Sequence, residues 1–82
     1  MIPKNITGLD LIKRLAQLEY IVVRQNGSHI RIKTLRNGAH SETIPNHKPL
    51  REGTVNKILK NIADHFEISK QALEEILFQS KK

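Results

Sequence analysis

Apolar residues recur at helical spacing toward both ends of the chain and alternate with polar residues in the middle. Leu11, Ile12, Leu15 and Leu18 follow one another at intervals of three and four, the period of a single helix face. Thr7 precedes them as a capping hydroxyl, with Asp10 three residues on, so a first helix is predicted from about Gly8 to Leu18. Gly8 is an unusual residue for a first turn, and its missing side chain suits a close approach of backbone to backbone. Tyr20 to Gln25 is rich in β-branched and aromatic residues and reads as a strand. Asn26-Gly27 is a strong hairpin signal, and Ser28 to Thr34 alternates polar and apolar as a half-buried strand does. Asn37-Gly38 marks a second turn, His40 to Pro45 a third strand ended by proline, and Asn46 to Pro49 a polar loop. A second helix is predicted from about Glu52 to His65, with Val55, Ile58, Leu59 and Ile62 as its stripe and Glu52 at its positive end. Ser69 can cap a third helix striped by Ala72, Leu73, Ile76 and Leu77. The order α-β-β-β-α-α predicts an α+β fold: a three-stranded antiparallel sheet with helices packed on one face.

A two-residue turn centred on Asn26-Gly27 pairs Gln25 with Ser28, Arg24 with His29, Val22 with Arg31 and Tyr20 with Lys33. Opposite residues share a face and successive residues alternate. Ile21, Val23, Ile30 and Ile32 then form the core side. Arg24, His29, Arg31 and Lys33 lie on the open side, with Tyr20 and Val22 alongside. Two readings fit that side: an ordinary solvated face, which alternation demands whatever the function, and a face that holds phosphates. The third strand is less determined. A strict two-residue turn at Asn37-Gly38 would put Ile44 on the open face, so either that turn is longer or Ile44 meets a partner.

The 82 residues are enough for one domain spanning 1–82. Fourteen Lys and Arg against eight Asp and Glu give a net charge of +6, which makes a polyanion the natural partner. With no cysteine, disulfides and thiolate metal sites are excluded. No apolar run approaches the roughly 20 residues that cross a membrane. Met1 to Leu15 lacks the basic start and long apolar stretch of a secretion signal, so a cytosolic protein without membrane contact is expected.

Imidazole titrates near neutrality and can give or take a proton. A histidine among cations is therefore equipped to cleave RNA: it removes the proton of a 2′-hydroxyl, and the cations stabilise the charge that builds on phosphorus. His29 fits that role, although a histidine on a strand is also commonly inert. His47, beside Lys48 in a loop, can contact phosphate or simply be solvated, and His65 at a helix end reads as structural. The four histidines have no compact ligand spacing, so neither a metal nor any other cofactor is expected. Ser28 precedes His29 directly and so projects to the other face, which fits a turn residue better than a nucleophile. With only Tyr20, Phe66 and Phe78 as aromatics, a stacking platform for single-stranded bases is lacking.

Several segments resemble the HicA toxins. They are Gly8 to Leu15, then Arg24-Gln25-Asn26-Gly27-Ser28-His29, Ile44-Pro45-Asn46-His47-Lys48, Gly53 to Leu59, and Ile68-Ser69 entering a last helix. The likeness spans nearly the whole chain in order, with the Gly-Ser-His triplet as its hallmark. It implies a fold similar to the double-stranded RNA-binding domain, an mRNA interferase that arrests translation without a metal, and a HicB antitoxin as partner. It also implies His29 as the catalytic histidine and Gly27 and Ser28 as the family's Gly-Ser pair. Arg24, Arg31, Lys33 and Lys48, together with His47, are RNA contacts suggested by position rather than by the likeness. Ala63 to Glu67 looks inserted relative to the family pattern. The alternative function is a non-catalytic RNA-binding module of the same fold, and a third is a domain that binds only proteins.

Overall fold

A computed structural model describes residues 2–78. In order, they form α1 (Gly8–Leu15) continued by a 3-10 turn (Ala16–Leu18), β1 (Ile21–Asn26), β2 (His29–Thr34), β3 (His40–Pro45), α2 (Glu52–Phe66) and α3 (Lys70–Phe78). The strands make one antiparallel sheet in the order β1-β2-β3. The architecture is the expected α+β arrangement, with helices packed on the sheet.

The caps form as the sequence indicates. The Thr7 hydroxyl accepts from the Asp10 amide at 3.1 Å, and Ser69 Oγ accepts from the Ala72 amide at 3.0 Å. Glu19 and Glu67 end their helices in the left-handed conformation. The core joins Leu11, Leu15 and Leu18 to Ile30, Ile32 and Ile44 of the sheet, and to Val55, Leu59, Ile62, Leu73 and Leu77 of the later helices. Ile76 is exposed, so the stripe of α3 is narrower than its spacing suggests. Thr34 is the buried polar residue of the core. Its hydroxyl donates to the Leu18 carbonyl at 2.9 Å and accepts from the Arg36 amide at 3.1 Å, which removes the cost of burying it.

The first hairpin differs from the expected register. Asn26 pairs with His29, Gln25 with Ile30 and Arg24 with Arg31, so the loop is Gly27-Ser28 rather than Asn26-Gly27. Gly27 has a φ of +62° and Ser28 is not in the positive-φ region. That fits the hairpin turn requiring glycine only at its first central position. The pairing has slid by two residues, and a slide of two preserves the faces, so Arg24 remains on the side of His29. A bulge between Val22 and Arg24 then adds one residue, after which Ile21 pairs with Lys33 and Val22 with Ile32. That single extra residue reverses the faces beyond it. Ile21 turns to the open side, and Tyr20, expected there, is buried in the core. Ile21 and Val23, expected in the core, are exposed, Ile21 because it now faces the open side and Val23 because it sits in the bulge. Val22, expected on the open side, lies opposite Ile32 on the helix side yet is also exposed, because α1 and α2 pack against β3 rather than over β1.

The second turn is the longer of the two alternatives. Five residues, 35–39, connect Thr34 to His40, with Asn37 and Gly38 at positive φ. Ile44 therefore pairs with Ile30 and is fully buried. Gly8 has the close approach anticipated for it. A Cβ there would collide with the Pro45 carbonyl oxygen, and the Gly8 amide donates to the His47 carbonyl at 3.0 Å.

Candidate functional site

β2 alternates without interruption: Ile30, Ile32 and Thr34 point inward, while His29, Arg31 and Lys33 are exposed on the open side. By register, Ile21, Arg24 and Asn26 of β1 and Ser41, Thr43 and Pro45 of β3 share that side. No carboxylate stands among these residues, so the face is uniformly positive. Arg24 and Arg31 lie directly across from each other. Like charges opposite one another weaken a sheet, and an anion between them would reverse that effect. Arg31 is steered toward β3 by a hydrogen bond from its guanidinium to Thr43 Oγ1 at 3.0 Å.

His29 opens β2 at the hairpin tip, exposed, between Asn26 on one side and Pro45 on the other. The Asn46 amide donates to the Ser28 carbonyl at 2.7 Å. This bond ties the Gly27-Ser28 tip to the loop after β3, and the Gly8 amide holds the same loop from the other side. His47 and Lys48 are thus brought to the end of the sheet where His29 sits, and both are exposed. Asn46, His47 and Lys48 line a groove of about 610 Å³ together with Arg51 and Thr54 at the start of α2. Sequence reasoning passed over Arg51, Thr54 and the supporting Thr43. The available signal was a third basic residue, Arg51, only three positions after Lys48. Lys33, by contrast, is four residues along the strand from His29, about 14 Å away at the usual rise. It belongs to the same face but to its far end. Among the described residues no group of three or more His, Asp or Glu side chains is placed to hold a metal ion.

A second polar cluster occupies that far end on the inner side. Tyr20 is hydrogen-bonded through its hydroxyl to His40 Nδ1 at 2.7 Å. The His40 ring stacks on His65 at 4.7 Å between centroids, and His65 Nε2 donates to the Arg36 carbonyl at 3.0 Å. Burial pushes the Tyr20 phenol up, with the charge of Glu42 adding to the effect. Glu42 is itself raised by burial, against opposing contributions from Asn61, Arg31 and Lys57. His40 is held below the ordinary imidazole range by burial first, then by His65 and Arg31. Together these contacts join the residue before β1, the start of β3, the turn before it and the end of α2, so the cluster is a structural clasp.

The clasp carries a pH dependence. Below the ordinary value of 6.5, an unfolded chain takes up a proton that folded His40 resists, so the folded state loses stability as pH falls through that range. The raised Glu42 acts with the opposite sign and nearer the carboxylate range. Comparison of wild type with His40→Gln therefore isolates the histidine. Urea midpoints measured at pH 7.5 and 5.5 are expected to fall more steeply for wild type. Identical pH slopes for the two proteins would contradict this account of the cluster.

No described helix is long and apolar enough to cross a membrane. Comparison with curated proteins and with solved structures gave no match. A family model described as the HicA toxin of bacterial toxin-antitoxin systems matches residues 8–63. That stretch runs from the first residue of α1 to near the end of α2, and takes in the whole sheet, the Gly27-Ser28-His29 tip and the loop bearing His47 and Lys48. It covers more than half of the chain, and the chain belongs to the HicA toxin family of bacterial toxin–antitoxin systems.

Proposed function

We propose that this toxin is an endoribonuclease that cuts mRNA in the cytoplasm and thereby arrests translation, with His29 as its proton-transfer residue and a HicB-type antitoxin as its restraint. The observation that carries the reading is an exposed imidazole at the end of a sheet face that holds Arg24 and Arg31 and no carboxylate. In this reading residues 1–82 act as one domain, similar to a double-stranded RNA-binding domain that has acquired a cleaving group.

The chemistry needs few parts. His29 accepts the proton of a ribose 2′-hydroxyl, whose oxygen forms a bond to the adjacent phosphorus. Arg24 and Arg31 stabilise the negative charge of the resulting phosphorane. The bond from phosphorus to the 5′-oxygen then breaks, that oxygen takes a proton, and the products are a 2′,3′-cyclic phosphate and a 5′-hydroxyl. An imidazole and cations suffice, so the reaction is expected to run with chelator present. Gly27 and Ser28 shape the tip that presents His29, and Ser28 is anchored through its carbonyl to Asn46. His47 and Lys48 would hold the strand beyond the scissile bond, and Lys33 a more distant phosphate.

Incubating the purified protein with RNA and chelator tests the reading, with fragments resolved on a gel. Strand breaks made by wild type and not by His29→Ala support it. RNA that is bound but never cut at high protein concentration would identify a non-catalytic RNA-binding module instead. Loss of all RNA affinity at low salt would leave a domain that binds only proteins. The basic face makes a separate quantitative prediction. Binding should weaken steeply with salt, and Arg31→Ala or Lys48→Ala should each lower the slope of log K against log salt by about 0.7–0.9. Titrations of a labelled RNA across a salt series check this, and an unchanged slope would remove that residue from the phosphate contacts.

A further inference from the structure

Beside the basic face lies a surface that RNA chemistry does not use. β1 pairs with β2 alone, so along its other side the backbone has no neighbouring strand among the described residues. The side chains there are apolar yet exposed: Ile21 at 64 %, Val22 at 51 %, Val23 at 49 % and, from the following turn, Leu35 at 74 %. Ile21 and Leu35 flank a shallow, mostly apolar groove of about 480 Å³ that also touches Lys33 and Glu19. Branched aliphatic groups offer nothing to a phosphate, and clustered at an open sheet edge they invite pairing with another chain.

We infer that the outer edge of β1 is the docking surface for an extended segment of the antitoxin, which adds a strand beside β1. Acidic side chains of that segment would lie against Arg24 and Lys33, and an apolar one would fill the groove between Ile21 and Leu35. An antitoxin as occupant follows from membership of the toxin family, and the inference does not depend on the ribonuclease reading. Charge selects the kind of segment. The groove is lined by Lys33 and by Glu19, whose carboxylate stands 4.0 Å from the Arg36 guanidinium, and Arg24 lies farther along the open side of β1, so the edge keeps an excess of positive charge and a strand laid alongside gains by carrying Asp or Glu there. A second copy of this chain is a poor occupant, because each copy carries a net charge of +6 and its β1 supplies no acidic side chain to meet Arg24 or Lys33. Strand addition would provide main-chain hydrogen bonds for affinity and side-chain pockets for specificity.

The probe is a synthetic ten-residue peptide alternating glutamate with valine or isoleucine, titrated into isotopically labelled full-length toxin. The expected result is saturable binding, with amide shifts concentrated on Ile21 to Asn26 and Leu35. The same peptide with lysine in place of glutamate should bind more weakly. The double variant Ile21→Ser, Leu35→Ser loses two exposed apolar groups and should bind the acidic peptide about tenfold or more weakly. That variant should melt like wild type and keep its activity toward RNA, so a failed ribonuclease assay and a failed docking assay remain separate results. The inference is overturned if millimolar acidic peptide leaves the β1 signals unmoved, or if the lysine peptide binds equally well. It is also overturned if RNA shifts Ile21 and Leu35 as strongly as the acidic peptide does, or if sedimentation shows that the wild type self-associates and the double variant does not.

Discussion

Replacing His29 by alanine is expected to leave the folded protein intact and to slow RNA cleavage by about 10²–10⁴-fold, the usual contribution of one general acid or base. The two halves of that result have separate causes. His29 is exposed at the first position of β2, and its ring makes no hydrogen bond that the fold relies on. The strand is held instead by Ile30 and Ile32 inside and by ladder pairing to both neighbours. Thermal unfolding of the variant should therefore match wild type, while single-turnover cleavage collapses. RNA affinity should change little, because Arg24, Arg31 and Lys48 remain. His29→Ala cleaving at the wild-type rate would remove the residue from the chemistry.

The largest effect on stability is expected at Gly8. A Cβ at this position meets the Pro45 carbonyl oxygen, with the Asn46 Cα only 3.2 Å away. These are backbone atoms, so no side chain can rotate aside. Gly8→Ala must push α1 away from the end of β3 and stretch the hydrogen bond from the Gly8 amide to the His47 carbonyl. Overpacking of this kind costs about 1–3 kcal/mol, which for a chain this short lowers the melting temperature by roughly 4–8 °C per kcal/mol. Cleavage should suffer too, since the same displacement moves the loop that Asn46 ties to Ser28. Gly53→Ala is the matched control: it is also in the first turn of a helix, but nothing lies within 4 Å of a Cβ there. It should be neutral or stabilising, because alanine favours helix. Equal melting temperatures for Gly8→Ala and wild type would contradict the packing described for α1.

Local signals in the chain carried much of this arrangement. Thr7 and Ser69 announce their helices because a capping hydroxyl has a definite job at a definite position. β2 was legible because Ile30 and Ile32 alternate with charged residues and the inner face is covered. β1 was not, for two physical reasons. The bulge at Val23 is set by how the strand meets β2, and no residue type in Ile21 to Asn26 signals it. Exposure of Val22, on the helix side opposite Ile32, depends on where the helices lie over the sheet, which a hydrophobic pattern cannot report. Asn26-Gly27 was a true hairpin signal, but the glycine opens the loop rather than closing it. Arg24 kept its expected face only because the slide was by two residues. The cluster of Tyr20, His40 and His65 joins residues far apart in sequence, and only the folded chain shows that they meet. Arg51 and Thr54 join His47 and Lys48 in one groove for the same reason.

The identity of the ends left on cut RNA reports most directly on how the strand is broken. Fragments produced by wild-type protein in chelator should carry 5′-hydroxyl groups and 2′,3′-cyclic phosphates, or the monophosphates these hydrolyse to, when analysed by mass spectrometry. Intact RNA, or fragments ending in 5′-phosphate and 3′-hydroxyl, would contradict cleavage by an imidazole acting on the neighbouring ribose.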